Sequence, residues 1–360
     1  MDDVMGGSHW MSSAPSTGVA PSAGVLAGPL PVLDGGVPRG ALAGALDAAV
    51  RAPSLYNSQP WHFRIGADRV EVRLDPSRML PAADPGGRAA RIACGAALYN
   101  LRLAMAVELG HESEVRLLPD RADDLLVAQV RVGRARPATP RERAQYCAIP
   151  RWRGNRHPFQ DEEPVADAQH LALARAAAAQ DCWLQVLTGT SPARRVAALI
   201  DEAGRVLDRD PAYRREAGPG TAGAVRAIDA VRASDVVQAS DVRTRDTETV
   251  PSLGILGGAD DTPPVHVSIG QALQSVLLTA TEGGLAVSLF SQPFEVPDAR
   301  TRLRELAGRL GTPYLVLRVG YPTRPSASTP RLPVAAVSDV LPDDRSRAVD
   351  GILAGMGELS

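Results

Sequence analysis

Apolar residues recur along this chain in two periods, and the switching between them outlines a series of elements. Leu42, Leu46 and Val50 are spaced for one face of a helix, which Pro53 ends. Residues 63–74 alternate instead, with Val70, Val72 and Leu74 on one side, as in a strand. The helical period returns from Ile92 to Leu109 in Leu98, Leu101, Ala104, Met105 and Leu109, and residues 124–132 read as a further strand. Beyond Pro137 the pattern predicts a helix over 166–179, a short strand over 183–188 and helical runs over 193–207 and 223–237. Helices over 269–283 and 298–310 and the strand YLVLRVGY, ending at Tyr321, complete it.

Two stretches break the pattern. Residues 1–35 are Gly, Ser, Pro and Ala with few large apolar groups, too little to offset the entropy of ordering, and read as a mobile tail. Residues 210–265 are charged, interrupted by Gly and Pro and weakly periodic; they read as a lid or as a disordered excursion. The rest divides into halves over 36–140 and 141–340, with a C-terminal segment over 341–360. GAAL at Gly95 and GQAL at Gly270 both open a buried helix, and Pro60-Trp61-His62-Phe63 has an echo in Cys182-Trp183-Leu184-Gln185. The shared order of elements points to an internal duplication.

Composition removes several chemistries. None of the 39 basic residues is lysine, which excludes a phosphate loop, a kinase-type lysine and a pyridoxal Schiff base. A formal charge of -2 gives no field for nucleic acid or anionic membrane, and 4% aromatics makes a poor base-stacking platform. Three scattered cysteines and six histidines without ligand spacing argue against metal sites and disulfide scaffolds. No apolar run reaches the roughly 18 residues of a membrane helix, and the first arginine is Arg39, so no basic signal start precedes it. The expectation is a reduced, cytoplasmic protein without nucleic-acid or membrane partners.

The string RAPSLYNSQPWHF, Arg51 to Phe63, holds the densest candidate chemistry. Pro53 exposes Ser54 and Asn57, whose short polar groups bond backbone or ligand amides in tight turns. Asn57 offers one acceptor and two donors, Gln59 adds a second amide, and Trp61 supplies a flat face to cap a pocket. By residue chemistry alone the string reads first as a helix-to-strand turn whose polar groups satisfy one another.

The string resembles the flavin-contacting turn of the nitroreductase superfamily, P-S-x-x-N-x-Q-P-W-x-F, with Pro53, Ser54, Asn57, Gln59, Pro60, Trp61 and Phe63 at its fixed positions. Arg153-Gly154-Asn155-Arg156 resembles that family's phosphate motif, with Gly154 where the family has a hydroxyl; two arginines three apart suit bidentate phosphate bonding at a helix start. Ser291 and Gln292, in SLFSQPFE, resemble the late loop near the flavin ring. Arg331, in Pro330-Arg331-Leu332-Pro333, resembles the terminal phosphate contact.

Two such halves with a lid look like the Acg-type branch, and the similar strings run from Leu42 to Pro333. The resemblance implies an α+β nitroreductase-like fold, internally duplicated so that one chain imitates the usual homodimer. It implies one FMN per monomeric chain, NAD(P)H as a transient electron donor, and a small-molecule substrate such as a nitroaromatic, a quinone or an unsaturated metabolite. The pseudo-symmetric second site should be filled by side chains. A non-catalytic FMN-binding or sequestering protein, with the lid closed over the cofactor, is the alternative.

Overall fold

The computed structural model describes residues 39–66, 69–160, 163–187, 190–217, 252–308 and 311–341. The predicted tail, the helical run over 223–237 and nearly all of the C-terminal segment lie outside these residues.

Every strongly periodic segment within them forms its predicted element. The first half runs α1 (Arg39–Ala49), β1 (Trp61–Ile65), β2 (Arg69–Leu74), α2 (Arg88–Ala104), β3 (His111–Leu117) and β4 (Leu126–Ala135). After α3 (Pro140–Ala148), the second half runs α4 (Asp167–Ala178), β5 (Trp183–Leu187), α5 (Thr190–Leu207), α6 (Pro211–Ala217), β6 (Ser252–Gly258) and α7 (Pro263–Glu282). It closes with β7 (Ala286–Phe290), α8 (Gln292–Glu295), α9 (Pro297–Leu306) and β8 (Thr312–Gly320), and β9 (Ser338–Val340) follows. The expected strand over 63–74 is a hairpin, β1 with β2. The insertion read over 210–265 is shorter than expected at its far end, because residues 252–258 are a strand inside the second sheet.

The two sheets have the same topology. In the first the order is β3-β4-β2-β1, and in the second it is β7-β8-β6-β5, antiparallel throughout. Element for element, β1 corresponds to β5, β2 to β6, β3 to β7 and β4 to β8, with α2 and α7 in equivalent places. The chain end then crosses back: β9 adds to β1 in parallel, so the last described strand belongs to the first half's sheet.

The helices α2 and α7 cross in the centre, and glycine makes the crossing possible. A Cβ on Gly270 would lie 1.9 Å from the Ile92 carbonyl oxygen, and one on Gly95 would lie 2.2 Å from that of Val267. The two helices therefore meet backbone to backbone, where any side chain would force them apart. A buried polar seam fixes their register. Gln274 Nε2 donates to Asn100 Oδ1 (2.8 Å), Asn100 Nδ2 donates to the Ala48 carbonyl (3.0 Å), and the Tyr99 hydroxyl donates to Gln145 Oε1 (2.6 Å). These bonds pair most of the polar atoms in the seam, Gln274 Oε1 being buried with no partner among the described residues; leaving a buried polar group unmatched costs about 1–3 kcal/mol. The span Arg88–Leu109 has the length and hydropathy of a membrane helix, but 72% of its apolar window is buried in this core, which accounts for its composition.

A second, smaller core distinguishes the halves. Val196, Leu199, Ile200 and Ala203 of α5 pack with Phe294, Leu303, Ile255 and Val316, covering the second sheet with α8 and α9. This layer delivers α6 and Tyr213 to the site described below.

Gly270→Ala should destabilise the fold by about 3 kcal/mol or more, since the Ile92 carbonyl and the backbone at Gly95 and Ala96 that its Cβ would meet cannot move without shifting α2. Urea unfolding of this variant beside Gly204→Ala, where a Cβ meets nothing within 4 Å, checks it.

Candidate functional site

A cavity of about 290 Å³ lies where the halves meet. Its walls come from seven segments: the turn after α1, the N-terminal end of α2, the loop between α3 and α4, α7 at Leu273, β7 running into α8, β8, and the chain before β9. Leu273, Ile92, Leu289, Phe290, Phe294 and Leu315 make much of it apolar.

The turn holds its shape through strained backbone and local bonds. Tyr56, Asn57 and Gln59 have φ of 50°, 60° and 51°, left-handed values that cost non-glycine residues free energy and need outside support. Ser54 Oγ accepts from the Gln59 amide (3.0 Å). The returning chain supplies the rest: Asn57 Nδ2 donates to the Pro330 carbonyl (3.0 Å), Arg331 Nη1 donates to Asn57 Oδ1 (2.9 Å), and the Leu332 amide donates to Gln59 Oε1 (2.9 Å). The turn's polar groups thus satisfy one another and a partner segment some 270 residues away.

Of the residues singled out from sequence, Pro53, Ser54, Asn57, Asn155, Arg156, Ser291, Gln292 and Arg331 line the cavity. Gln59, Trp61 and Arg153 do not. Gln59 is buried and works as a brace for Leu332. Trp61 was expected to cap the pocket, yet it is fully buried with Phe63 and Ile65 on the inner face of β1, because alternation along that strand turns it into the core. The arginine pair does not sit at a helix start. Residues 153–156 form a loop strapped to β7, through the Asn155 amide on the Val287 carbonyl (3.0 Å) and Ser288 Oγ on the Asn155 carbonyl (2.9 Å). Arg156 reaches the cavity, while Arg153 donates to the Pro150 and Trp152 carbonyls.

Two charged groupings flank the apolar walls. Burial, with Arg153 and Arg51 nearby, holds the Arg331 guanidinium below its ordinary pKa, and its Nε is buried with no partner among the described residues. Three arginines held close, with one donor unused, suit an anion such as a phosphate. Arg318, only 2% exposed, also lines the cavity and stacks its guanidinium over the Phe159 ring at 4.5 Å.

The second grouping is acidic. Asp84 accepts from the Ala89 and Ala90 amides (3.0 and 2.8 Å), tying down the start of α2, and burial raises its pKa. Burial also raises the pKa of Glu295; Asp84 adds to the rise, while bonds from Ser291 and Tyr213 and the charge of Arg88 oppose it. Ser291 Oγ donates to Glu295 Oε1 (2.9 Å), and Glu295 Oε2 is buried without a partner among the described residues. Tyr213 of α6 bonds to Tyr56 through their hydroxyls and stands edge-on to its ring at 6.1 Å. Burial pushes the Tyr56 phenol up to about 12. Glu216, also on α6, accepts from the Ala82 and Ala83 amides (2.9 and 2.8 Å), fastening that helix to the first half.

Sequence reasoning missed Tyr56, Asp84, Arg88, Glu295, Tyr213 and Arg318. Only Arg318 carried a visible signal, an arginine inside an otherwise apolar strand, which is rare unless its charge is used.

An α+β fold in which two half-sheets share a central cavity with an anion-suited arginine group is the architecture of a nitroreductase-type oxidoreductase. The chain is 31% identical over 317 residues to the Mycobacterium tuberculosis protein named "Putative NAD(P)H nitroreductase Rv3131", covering 82% of this chain and 89% of that protein. It is 30% identical over 320 residues to "Putative NAD(P)H nitroreductase acg" from the same organism, covering 83% and 96%. By these likenesses the chain belongs to the Acg family of nitroreductase-type proteins. No protein-family model matches the chain. Among solved structures it is similar to a nitroreductase with bound FMN from Bacteroides fragilis, at 14% identity and a TM-score of 0.36, over 52% of this chain and 93% of that one.

A carboxyl whose pKa is raised on folding stabilises the fold below the ordinary carboxylate pKa and loses that contribution as pH rises through the folded value. Wild-type unfolding free energy should therefore fall relative to that of Glu295→Gln as pH rises above the ordinary carboxylate range, as urea titrations at several pH values would show.

Proposed function

We propose that this protein is an FMN-dependent oxidoreductase that passes hydride between a nicotinamide donor and a small organic acceptor, a nitroaromatic, a quinone or an unsaturated metabolite. The observation that carries this reading is the buried, unsatisfied Nε of Arg331 in a group of arginines beside an apolar cavity. A flat, apolar ring system bearing a phosphate fits that donor set, and the names of the family's members supply the prior for FMN and NAD(P)H. Bound FMN would supply a hydride-carrying ring nitrogen. The chain's residues do the rest: Arg331 and Arg156 on the cavity wall would balance the phosphate, with Arg153 and Arg51 adding positive charge near Arg331, Asn57 holds Arg331 in place, and Pro53, Ser54, Asn155, Ser291 and Gln292 line the space. The apolar walls exclude water from the reacting groups.

The reading is of one cofactor per chain, in a cytoplasmic monomer derived by duplication of a half that once paired with itself. At the corresponding place across the molecule, the partly buried Arg102 bonds to Gln271 on α7 (2.5 Å), Gln180 in the second turn (3.3 Å) and Ser113 on β3 (3.4 Å). Those three elements correspond to α2, the first turn and β7 around the cavity.

A second reading, that the protein sequesters FMN without turnover, draws on α6. Its bonds from Tyr213 to Tyr56 and from Glu216 to the chain at Ala82 and Ala83 lay it against the cavity's own turn. Adding NADPH without oxygen separates the two readings: bleaching of the flavin band within seconds supports the oxidoreductase, and a persistent band supports sequestration.

Arg331→Gln should weaken FMN binding by about tenfold to a hundredfold, the value of one or two charge-assisted bonds. Flavin fluorescence titration reads this directly. Asn57→Ala should weaken binding in the wild type and add little in the Arg331→Gln background, since the two share one interaction. Equal FMN affinity in Arg331→Gln and wild type would remove the phosphate assignment.

A further inference from the structure

Nothing in the hydride-transfer reading explains why an acid is kept in an apolar wall. Reduction of an organic acceptor needs hydride and then a proton, and water is excluded from this cavity by the same apolar lining that favours the hydride step. Glu295 faces that cavity from α8. Its Oε1 is engaged by Ser291, its Oε2 is buried with no partner among the described residues, and the carboxyl feels two charges of opposite sign, Asp84 and Arg88 near the start of α2. Tyr213, from α6, interacts with Glu295 and bonds to Tyr56, which lies in the turn and is partly exposed. Carboxyl, phenol and phenol form a continuous path from the cavity wall toward solvent.

We propose that Glu295 is the proton donor of this site, serving acceptors of the quinone class, with Tyr213 and Tyr56 as the route by which its proton is restored. The proposal rests on the oxidoreductase reading above and assigns a residue to its second half-reaction. The chemistry balances as follows. A nicotinamide donor, with FMN where it is bound, would supply two electrons and one hydrogen as hydride to one carbonyl oxygen of the quinone. The electron pair moves through the ring to the second oxygen. There a new O–H bond forms as the O–H bond of the Glu295 carboxyl breaks, and the product leaves as the hydroquinone. The carboxylate takes a proton from Tyr213, Tyr213 takes one from Tyr56, and Tyr56 takes one from water. Each turnover consumes one hydride and one proton.

Burial keeps the resting carboxyl in its protonated form above the ordinary carboxylate range, so the acid is loaded before the acceptor arrives. The assignment also gives α6 a part in turnover. Tyr213 arrives with the layer that α5, α8 and α9 build on the second sheet, so a displaced α6 would leave Glu295 without its path to solvent.

The test uses the full chain loaded with FMN and reduced anaerobically by NADPH, then mixed with menadione while flavin reoxidation is followed. In Glu295→Gln, which keeps the shape and the bond from Ser291, reoxidation should slow on the order of a hundredfold relative to the variant's own reduction by NADPH. Tyr213→Phe should slow steady-state turnover more than the first reoxidation event. A readout independent of activity is the infrared carbonyl band of a protonated carboxyl followed against pH, expected to persist above the ordinary carboxylate range in the wild type and in Tyr213→Phe and to be lost in Glu295→Gln. Should Glu295→Gln fold poorly, Glu295→Asp, which keeps an acid but shortens its reach, should retain a carboxyl band and show slowed reoxidation. Reoxidation of Glu295→Gln at the wild-type rate, or no carboxyl band above the ordinary carboxylate range in the wild type, overturns the proposal while leaving the oxidoreductase reading intact. A wild type that takes up no FMN overturns both.

Discussion

The close crossing of α2 and α7 is the constraint on which everything else depends. Two helices whose backbones touch at Gly95 and Gly270 have no freedom to slide or separate, and each is the inner support of one sheet. The polar seam through Asn100, Gln274, Tyr99 and Gln145 fixes their rotation as the glycines fix their distance. The start of α2, with Asp84, Arg88 and Ile92, and Leu273 of α7 are thereby brought to one cavity. A site made of segments far apart in sequence needs such a rigid centre, since small errors in placement are costly to chemistry.

Around that centre the site is completed by reciprocal bracing. The turn over 53–59 carries three left-handed non-glycine residues that would relax if left alone. The segment over 330–332 prevents this through Asn57 and Gln59, and the turn in exchange orients Arg331. The strain is tolerated because β9 anchors the returning chain to β1, next to the turn it supports. Asn57 is therefore at once a structural residue and a means of placing a positive charge, which is why its two readings from sequence could not be separated there.

What the sequence disclosed follows the physics of each signal. Long segments with a clear period were legible, and the matched GAAL and GQAL strings turn out to meet at the crossing itself. Strand β6 was not legible. Its sequence, SLGILGG, has no alternation because it is buried on both faces, and its glycines are demanded by neighbours: a Cβ on Gly257 would lie 2.0 Å from the Trp183 ring. The turn was conspicuous because its residue types are unusual together. Glu295, Asp84 and Tyr213 were silent, because a single acid or phenol has no local pattern and acquires meaning only from groups that the fold brings to it.

The two sheets can also be compared at the turns before β1 and β5. Gln59 and Asp181 occupy matching positions before β1 and β5 and share left-handed φ, 51° and 57°, so the two turns retain a common ending. They differ in what precedes it: residues 50–60 separate α1 from β1, whereas only residues 179–182 separate α4 from β5. The short turn has no room for a counterpart of Ser54 and Asn57. Arg102 reaches into the place left over and bonds to Gln180, Gln271 and Ser113, and burial lowers its pKa. A partly buried guanidinium with several acceptors is held in place, because removing a partner leaves its charge less well compensated. The α5, α8 and α9 layer, together with α6, lies instead beside the turn that carries Ser54 and Asn57, so the two turns differ both in length and in what packs near them.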